Sequence, residues 1–310
     1  MDRDVIKLAV VGAGYFGSFH CQKLAALPEV ELSVVVDIDG ERARAVGKQY
    51  GVELLQSHLE LIGEVDAAVV AVPTSQHYAV STGLLDAGVS LLVEKPLAAT
   101  NEQAQELCRL AAEREVALQV GHLERFNPVF VEALKHINQP KKIDMERSGP
   151  YPGRGGDVGV VLELMSHDLD ILLQLTGSRV RRVTAFGESV CTPFLDRASA
   201  EIEFEDGLRA SVKASRADST RARRFRVADA DGMLEANLAG SFVERIYSDN
   251  GHRSNERRMV ARNDPLLDQD MAFVRGLLNG SRPAVGGEAG RAVVALAARI
   301  IDSMQNGGSS

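Results

Sequence analysis

The chain has 310 residues, of which 45% are hydrophobic and 25% are charged, and its net charge at pH 7 is −8. This composition is typical of a soluble globular protein, and the length predicts two domains. The negative charge argues against the broad basic surface that nucleic acids require, although it leaves room for a local site that binds a small anion. No apolar run approaches the roughly 18 residues of a membrane-spanning helix. We therefore expect neither a nucleic-acid partner nor a membrane partner.

The three cysteines form no CxxC pair and leave an odd count, which is typical of a reducing compartment. The first residues lack the basic and then apolar pattern of a signal peptide. Together these features predict a cytoplasmic protein.

The first 120 residues alternate between strand and helix patterns. Strands are predicted at residues 5–11, 31–36, 67–72, 90–95 and 116–120. Helices are predicted at about residues 14–27, 39–51 and 78–87, with another beginning at Thr100 in a capping-box pattern. This alternation predicts a parallel, doubly wound sheet.

After Gly121 the pattern changes to longer strand-like stretches, and hairpin turns are predicted at residues 205–207 and 231–232. Helices are predicted after Pro128, at residues 160–177 and at about residues 288–304. The predicted fold is α/β, with a doubly wound domain at residues 1–121. An α+β domain with a mostly antiparallel open sheet follows at residues 122–310, and the last helix packs across that sheet or back onto the first domain.

The segment GAGYFG fits the G-x-G-x-x-G pattern of a dinucleotide-binding Rossmann domain, since a strand precedes it and a helix follows. Asp37 ends the second strand, where a carboxylate accepts hydrogen bonds from ribose hydroxyls and repels a 2′-phosphate. The motif therefore favours NAD over NADP, although Arg42 lies near in sequence. The alternative is a glycine-rich turn without a ligand. The cofactor contacts predicted here are Gly12, Gly14, Tyr15, Phe16, Gly17, Asp37, Ile38 and Arg42.

Two further segments follow predicted strands at the edge where open α/β sheets bind ligands. Pro73 and Thr74 are predicted to shape the cofactor channel, and His77 is either a cofactor contact or a surface residue. Glu94 and Lys95 end another strand. Lys95 is placed beside the cofactor to donate a hydrogen bond to a substrate oxygen, and the alternative is a solvated lysine at a strand end. Glu94 and Lys95 are also predicted cofactor contacts.

The predicted helix at residues 160–177 is mostly apolar, yet Glu163, His167, Asp170 and Gln174 are spaced three or four residues apart. That spacing places them on one face of a helix. A catalytic group, a zinc site and a simple water-facing stripe are the three interpretations. The zinc interpretation is weak because no second His lies one turn away, and we predict no metal.

These motifs together resemble the Gfo/Idh/MocA family of oxidoreductases. The matching elements are GAGYFG, Asp37, VPTSQHY, the EKP at residues 94–96, GHLERFNP at residues 121–128, and an acid four residues before His167. The resemblance implies a Rossmann domain, an open-sheet domain, and NAD(P)-dependent oxidation or reduction of a carbinol on a sugar or cyclitol.

The resemblance also implies that Lys95, Glu163 and His167 form the reactive group. His167 takes the hydroxyl proton and Lys95 favours the developing alkoxide. The family pattern has Asp where this chain has Glu163, which we expect to orient the substrate or tune the His.

Substrate contacts are predicted in three places. Arg125 and Asn127 lie in GHLERFNP, Tyr151 and Arg154 lie in a loop rich in Gly and Pro, and Asp170 lies on the helix. The alternative for Arg125 is an ion pair with Glu124 or Glu132. The basic run at residues 221–227 is interpreted as a solvated face or an oligomer contact in preference to a phosphate site.

Within the family, ERFNP and the helix segment look most like the UDP-N-acetylglucosamine 3-dehydrogenases, which supply a 3-oxo sugar for diamino-sugar lipid A. The predicted substrate is therefore a sugar or nucleotide sugar. The alternatives are an inositol or free-sugar dehydrogenase and a non-catalytic NAD(P)-binding sensor. We expect a homo-oligomer, a dimer or tetramer, formed through the C-terminal sheet.

Overall fold

The computed structural model describes residues 5–151, 153, 156–249, 252–305 and 307. The chain forms two compact units. The first contains the residues up to Leu123 together with Pro265–Val294, and the second contains Glu124–Asp264 and the residues from Ala295 onward.

The first unit is built on a six-stranded parallel sheet with the order β3-β2-β1-β4-β5-β6. Its strands are β1 Ile6–Val11, β2 Val30–Val36, β3 Glu53–Leu55, β4 Ala67–Val70, β5 Ser90–Glu94 and β6 Leu118–Gly121. Its first four helices are α1 Tyr15–Leu24, α2 Gly40–Tyr50, α3 Thr74–Asp86 and α4 Asn101–Glu113. The strands β1, β4 and β5 are almost wholly buried, as expected for strands that helices cover on both faces. The predicted doubly wound sheet is confirmed, with β3 as an additional three-residue edge strand.

The first unit also includes α7, Pro265–Asn279, which was not predicted. Phe273 and Val274 of this helix are buried in one cluster with Leu8, Val10 and Leu24. Residues 265–294 therefore belong to the first unit, whereas the predicted boundary assigned everything after residue 121 to the second. The reason is that the apolar face of α7 completes the core around α1 and β1.

The second unit is built on an eight-stranded sheet with the order β14-β13-β12-β11-β7-β10-β9-β8. The strands are β7 Lys142–Pro150, β8 Val180–Glu188, β9 Arg197–Phe204, β10 Arg209–Ser215, β11 Ala217–Asp229, β12 Gly232–Asn237, β13 Phe242–Asp249 and β14 His252–Met259. Neighbours pair antiparallel except β7 and β10, which are parallel. Both predicted hairpin turns are confirmed, one between β9 and β10 and one between β11 and β12.

One face of this sheet packs against helices and the other is polar. The helices are α5 Pro128–Leu134 and α6 Ser166–Leu175. The later part of α8 (Gly287–Gln305) also contacts this sheet, since Arg299 and Ser303 donate hydrogen bonds to backbone carbonyls of β8. Along β10 the buried residues Ala210, Val212 and Ala214 alternate with the outward residues Ser211 and Lys213, as the two-residue period of a strand requires. The outward side is called the open face below.

Candidate active site

The glycine-rich turn between β1 and α1 leaves room at the helix N-terminus. Gly12 has φ +99°, and a Cβ there would lie 2.6 Å from the carbonyl oxygen of Ala71, so no other residue fits without strain. A Cβ on Gly14 would meet nothing within 4 Å, and Gly14 caps α1 without a side-chain hydrogen bond. The turn therefore leaves space at the N-terminus of α1, which is where a dinucleotide pyrophosphate binds in a turn of this kind.

Asp37 lies at the carboxyl end of β2 and is 6% exposed. Its Oδ2 accepts the Ala13 N–H at 2.7 Å and its Oδ1 accepts the Asp39 N–H at 2.8 Å. A carboxylate has about four acceptor positions, so capacity remains for ribose hydroxyls.

The Arg42 guanidinium lies between two carboxylates, 3.5 Å from Asp37 and 3.1 Å from Asp39. Two negative charges against one positive charge leave this corner unfavourable for a 2′-phosphate. The Arg42 cation, which was the reason to consider NADP, is therefore already neutralised.

The other predicted cofactor contacts of this region lie at the surface. The side chain of Ile38 is 92% exposed, and Tyr15 and Phe16 are 54% and 38% exposed. Tyr15 packs edge-on against Phe16 and Phe19.

His77 is buried and connects the ends of two strands. Its Nδ1 lies 2.7 Å from the Pro96 carbonyl oxygen and its Nε2 lies 2.9 Å from that of Val72. Burial lowers the pKa of His77, so the ring is neutral and donates to one of these carbonyls. Pro73 caps α3 and Thr74 begins it. A cofactor contact by His77 stays a prediction.

A buried network of three ionisable side chains lies behind Lys95. His20 on α1 is fully buried, with Nδ1 at 2.9 Å and 3.0 Å from the two oxygens of Asp270 on α7. Its Nε2 lies 3.1 Å from Oε1 of Glu94. The other Glu94 oxygen accepts the backbone N–H of Lys95 at 3.2 Å. Asp270, His20 and Glu94 thus form a chain from α7 to the candidate catalytic residue.

Opposing effects act on the pKa of His20. Burial lowers it, but the charges and hydrogen bonds of Asp270 and Glu94 outweigh burial and raise it to about 10. Burial alone would raise the pKa of Glu94, yet His20 and Lys95 hold it below its ordinary value. His20 is therefore an imidazolium that donates to a carboxylate on each side.

In the second unit, Glu163 and His167 lie where a helix changes its hydrogen-bonding pattern. Val161–Met165 form a π-turn and α6 follows directly, whereas one continuous α-helix was predicted from residue 160 to residue 177. Such turns insert an extra residue and are frequent at functional sites. Both side chains are half-buried, Asp170 is buried and Gln174 is exposed.

The later half of the polar stripe holds Arg125. The guanidinium bonds both oxygens of Asp170, at 2.7 Å and 2.8 Å, and also donates to Gln174. Among the two partners considered from sequence, Glu124 instead pairs with Arg147, and Glu132 pairs with Lys135, His136 and Arg258. Arg125 therefore forms an ion pair, as the alternative predicted, but its partner is Asp170 and not Glu124 or Glu132.

Asn127 has a structural role in addition to its predicted one. Its Oδ1 accepts the Val129 N–H at 3.0 Å, which caps α5, and its Nδ2 donates to Glu124 at 2.9 Å. The amide is therefore engaged by its own segment.

Arg147 on β7 fixes α6 beside His167. It is 3% exposed, and it bonds the two oxygens of Asp168 at 3.0 Å each and Glu124 at 2.9 Å. Burial acts to lower its pKa, but the two carboxylates raise it. Because Asp168 directly follows His167, this pair sets the rotation of the helix that carries His167.

Arg216 contacts the loop before the π-turn at Tyr151 and at Val158. Buried Arg216 donates to Asp196 at 2.8 Å and to the Val158 carbonyl at 3.1 Å, and it lies 5.4 Å from the ring centre of Tyr151. Asp196 in turn accepts three successive backbone N–H groups of residues 190–192. The other predicted loop contact, Arg154, lies outside the described residues.

Comparison with known proteins decides the family. Residues 6–122 match the model described as oxidoreductase family, NAD-binding Rossmann fold, and residues 135–235 match the GFO/IDH/MocA C-terminal domain. The chain belongs to the Gfo/Idh/MocA family. The predicted family, fold class and NAD cofactor are thereby confirmed, and the chain is an NAD-dependent oxidoreductase.

Several relatives of this Gfo/Idh/MocA chain cover most of its length. The UDP-N-acetylglucosamine 3-dehydrogenase of Acidithiobacillus ferrooxidans is 31% identical over 306 residues, which cover 95% of this chain and 96% of that protein. A solved structure of that enzyme matches with a TM-score of 0.90 over 97% of this chain and 98% of that one. The scyllo-inositol 2-dehydrogenase (NAD(+)) of Bacillus subtilis is 28% identical over 232 residues, covering 68% of this chain and 67% of the other.

GenD2 from gentamicin A biosynthesis, solved in complex with NAD, shares the Gfo/Idh/MocA fold. It matches with a TM-score of 0.88 at 24% identity over 100% of this chain and 97% of that one.

Sequence reasoning missed the buried partners of the Gfo/Idh/MocA motifs, above all His20 and Asp270. The available signal was an ionisable residue on the apolar side of each helix. His20 neighbours buried Cys21, and Asp270 lies one turn before Phe273. Such a residue needs a buried partner.

Among the described residues, no helix is long and apolar enough to cross a membrane. These residues also contain no group of three or more His, Cys, Asp or Glu arranged to hold a metal ion.

Proposed function

We propose that this chain oxidises a secondary hydroxyl of a nucleotide-linked sugar, namely C3 of UDP-N-acetylglucosamine, to a ketone. The supporting observation is the 31% identity to a UDP-N-acetylglucosamine 3-dehydrogenase over 95% of the chain. The similarity extends through both units and is not confined to the cofactor motif.

NAD, when bound, supplies the hydride acceptor. The residues present fit this group: the space at Gly14 accepts a pyrophosphate, and Asp37 retains acceptor positions for a ribose. The fixed carboxylates at Asp37 and Asp39 select against an added phosphate.

In this proposal His167 accepts the proton of the reacting hydroxyl, since an imidazole titrates near neutral pH. Lys95 donates a hydrogen bond to the same oxygen and favours its negative charge as the C–H bond breaks. Glu163 orients the sugar or the imidazole. The Arg147–Asp168 pair and the Glu94 network hold the backbones next to His167 and Lys95, respectively.

The runner-up is oxidation of an inositol or a free sugar, which the similarity to the scyllo-inositol 2-dehydrogenase supports. A non-catalytic NAD(P)-binding sensor is the alternative of another class. The presence of both Lys95 and His167 favours an enzyme.

The assay that tests the proposal measures NADH formation at 340 nm with a panel of UDP-sugars, free hexoses and inositols. We expect the highest kcat/KM with UDP-N-acetylglucosamine. Faster oxidation of a cyclitol would make the runner-up the function, and turnover of none of the panel would favour the sensor.

We further propose a cytoplasmic homo-oligomer that assembles through the open face of the second unit. Across four strands, Phe186, Ser199, Lys213 and Glu146 lie in one row by strand register. Phe186 is 66% exposed there.

The 3-oxo product would be the substrate of an aminotransferase in diamino-sugar lipid A synthesis.

A further inference from the structure

Two arginines of β11 differ from the other arginines around them. Arg224 and Arg226 of the same strand pair with Glu146 and Glu235. By contrast, no described residue accepts a hydrogen bond from Arg221 or Arg223 or forms an ion pair with either. Five N–H donors on each guanidinium are therefore available to a ligand.

Strand register places Arg223 on the face of the sheet that carries α6. Arg223 is directly opposite Arg147 in the antiparallel pair of β11 and β7, so the two side chains leave the sheet on the same side. Arg147 binds Asp168 on α6, and Asp168 adjoins His167. Arg223 is thus one strand away from the contact that positions the candidate proton acceptor.

Arg221 extends the same cationic surface toward the end of β7. It lies two residues from Arg223, and its Cγ would be 3.2 Å from a Cβ on Gly149. Gly149 is itself two residues beyond Arg147 on β7. The absent side chain at Gly149 allows the stem of Arg221 to lie against that strand.

The local charges leave this surface positive. Arg147, Arg221 and Arg223 carry three positive charges, and Glu124 and Asp168 supply two negative ones. Asp170 does not add to the negative charge because it pairs with Arg125. Arg221 and Arg223 both reach solvent. Partial burial and the neighbouring Arg147 lower the pKa of Arg223, whereas the charges of Glu124 and Asp168 act in the opposite direction.

We propose that Arg221 and Arg223 form an anion subsite beside α6, and that this subsite binds the diphosphate of the nucleotide-linked sugar. The inference rests on the proposed function and names the residues that recognise the substrate class. Paired guanidinium groups suit a diphosphate because each can bond two oxygens at once. Arg125, a candidate from sequence, is instead committed to Asp170 and Gln174.

The test compares Arg221→Gln, Arg223→Gln and the double variant with Arg226→Gln. Arg226 is a matched control because it lies on the same strand but pairs with Glu235 on the adjacent strand. The measurements are kcat and KM for UDP-N-acetylglucosamine, the inhibition constants of UDP and inorganic pyrophosphate, and NAD affinity by fluorescence. Both target side chains are exposed, so folding should survive, which circular dichroism would verify.

Each single substitution is expected to raise KM and the UDP inhibition constant by about 10- to 100-fold, the scale of lost charge-assisted hydrogen bonds. The kcat should stay within about threefold, because a remote phosphate contact acts equally in the ground and transition states. NAD affinity and the Arg226→Gln variant should match the parent protein. Arg223→Lys should raise KM less than Arg223→Gln does, since lysine keeps the positive charge but cannot form bidentate hydrogen bonds.

The proposed subsite is refuted if the parent protein oxidises UDP-N-acetylglucosamine while the Arg221→Gln and Arg223→Gln variants keep the parent values of KM and of the UDP inhibition constant. It is also overturned if the variants change only the oligomeric state, which would make the pair an interface between copies. A parent protein that ignores millimolar UDP and oxidises free inositol would instead refute the nucleotide-sugar function itself.

Discussion

At the scale of single residues, Asp37 performs two tasks with one carboxylate. It fixes the glycine-rich turn through Ala13, and in the proposed cofactor site it sets the charge that faces the ribose. We predict that the parent protein binds NAD more tightly than NADP and that Asp37→Ala reduces this preference, because the substitution also releases Arg42 from one of its two acids. Fluorescence titration with both cofactors measures the effect.

The control for that substitution is Asp39→Ala, which removes the other acid beside Arg42 and leaves the ribose position intact. Tighter binding of NADP than NAD by the parent protein would contradict the assignment of Asp37.

Also at this scale, Lys95→Ala and His167→Ala should each lower kcat by at least about a hundredfold, as is typical for lost acid–base groups. Cofactor affinity should change much less, most clearly for His167. Steady-state kinetics with saturating NAD and sugar provide the comparison, and His136→Ala, a surface histidine paired with Glu132, is the control. Near-normal turnover of the His167 variant would leave the polar stripe of its helix without a catalytic role.

At the scale of secondary-structure elements, the Asp270–His20–Glu94 chain connects α7, α1 and β5. Removing one partner of a buried ion pair typically costs about 3–5 kcal/mol, and we predict a loss of this size for His20→Ala. The measurement is the free energy of unfolding in urea, with His58→Ala, a half-buried histidine on a short surface turn, as the control.

The stability that the Asp270–His20–Glu94 network contributes should also depend on pH. The pKa of His20 is about 10 in the folded protein against 6.5 for the free side chain. A raised pKa stabilises the fold fully below the unfolded value and loses this effect as the pH passes the folded value. The difference in unfolding free energy between the parent protein and His20→Gln should therefore be largest below pH 6.5 and shrink toward pH 10. A difference that grows with pH would mean that His20 is buried uncharged.

At the scale of the whole molecule, assembly should depend on the open face. Phe186→Glu places a charge in the row of Phe186, Ser199, Lys213 and Glu146, which borders a cavity of about 410 Å³. We predict that sedimentation velocity finds a dimer or tetramer for the parent protein and a smaller species for this variant. Leu59→Glu, on an exposed site of the first unit, should leave the mass unchanged. A parent protein that sediments as a monomer at all concentrations would refute this assembly.

The sequence was sufficient for the parts of this molecule whose signals are local. Continuous apolar runs identified β1 and β4, and Gly12 and Asp37 lie at spacings that the Rossmann turn dictates. The three-residue strand β3 was too short to give a periodic pattern. Partners distant in sequence were not predictable: His20 and Asp270 are 250 residues apart, and only the packed core brings them together.

The basic run of β11 shows the same limit for the candidate site. Its arginines look alike in sequence, yet strand register assigns Arg224 and Arg223 to opposite faces, one beside Glu146 and the other beside Arg147. The sequence interpretation treated the run as one surface because register depends on the partner strand.

The position of α7 in the chain has a consequence for the order in which the protein is made. A ribosome produces the first unit's six strands early, but the helix that covers Leu8, Val10 and Leu24 follows residues 124–264 of the second unit. Until α7 has been made, the growing chain exposes that apolar surface, and His20 and Glu94 lack their partner Asp270. The part that begins synthesis is thus the part that is finished late, and its core closes only after about 140 intervening residues have had time to fold.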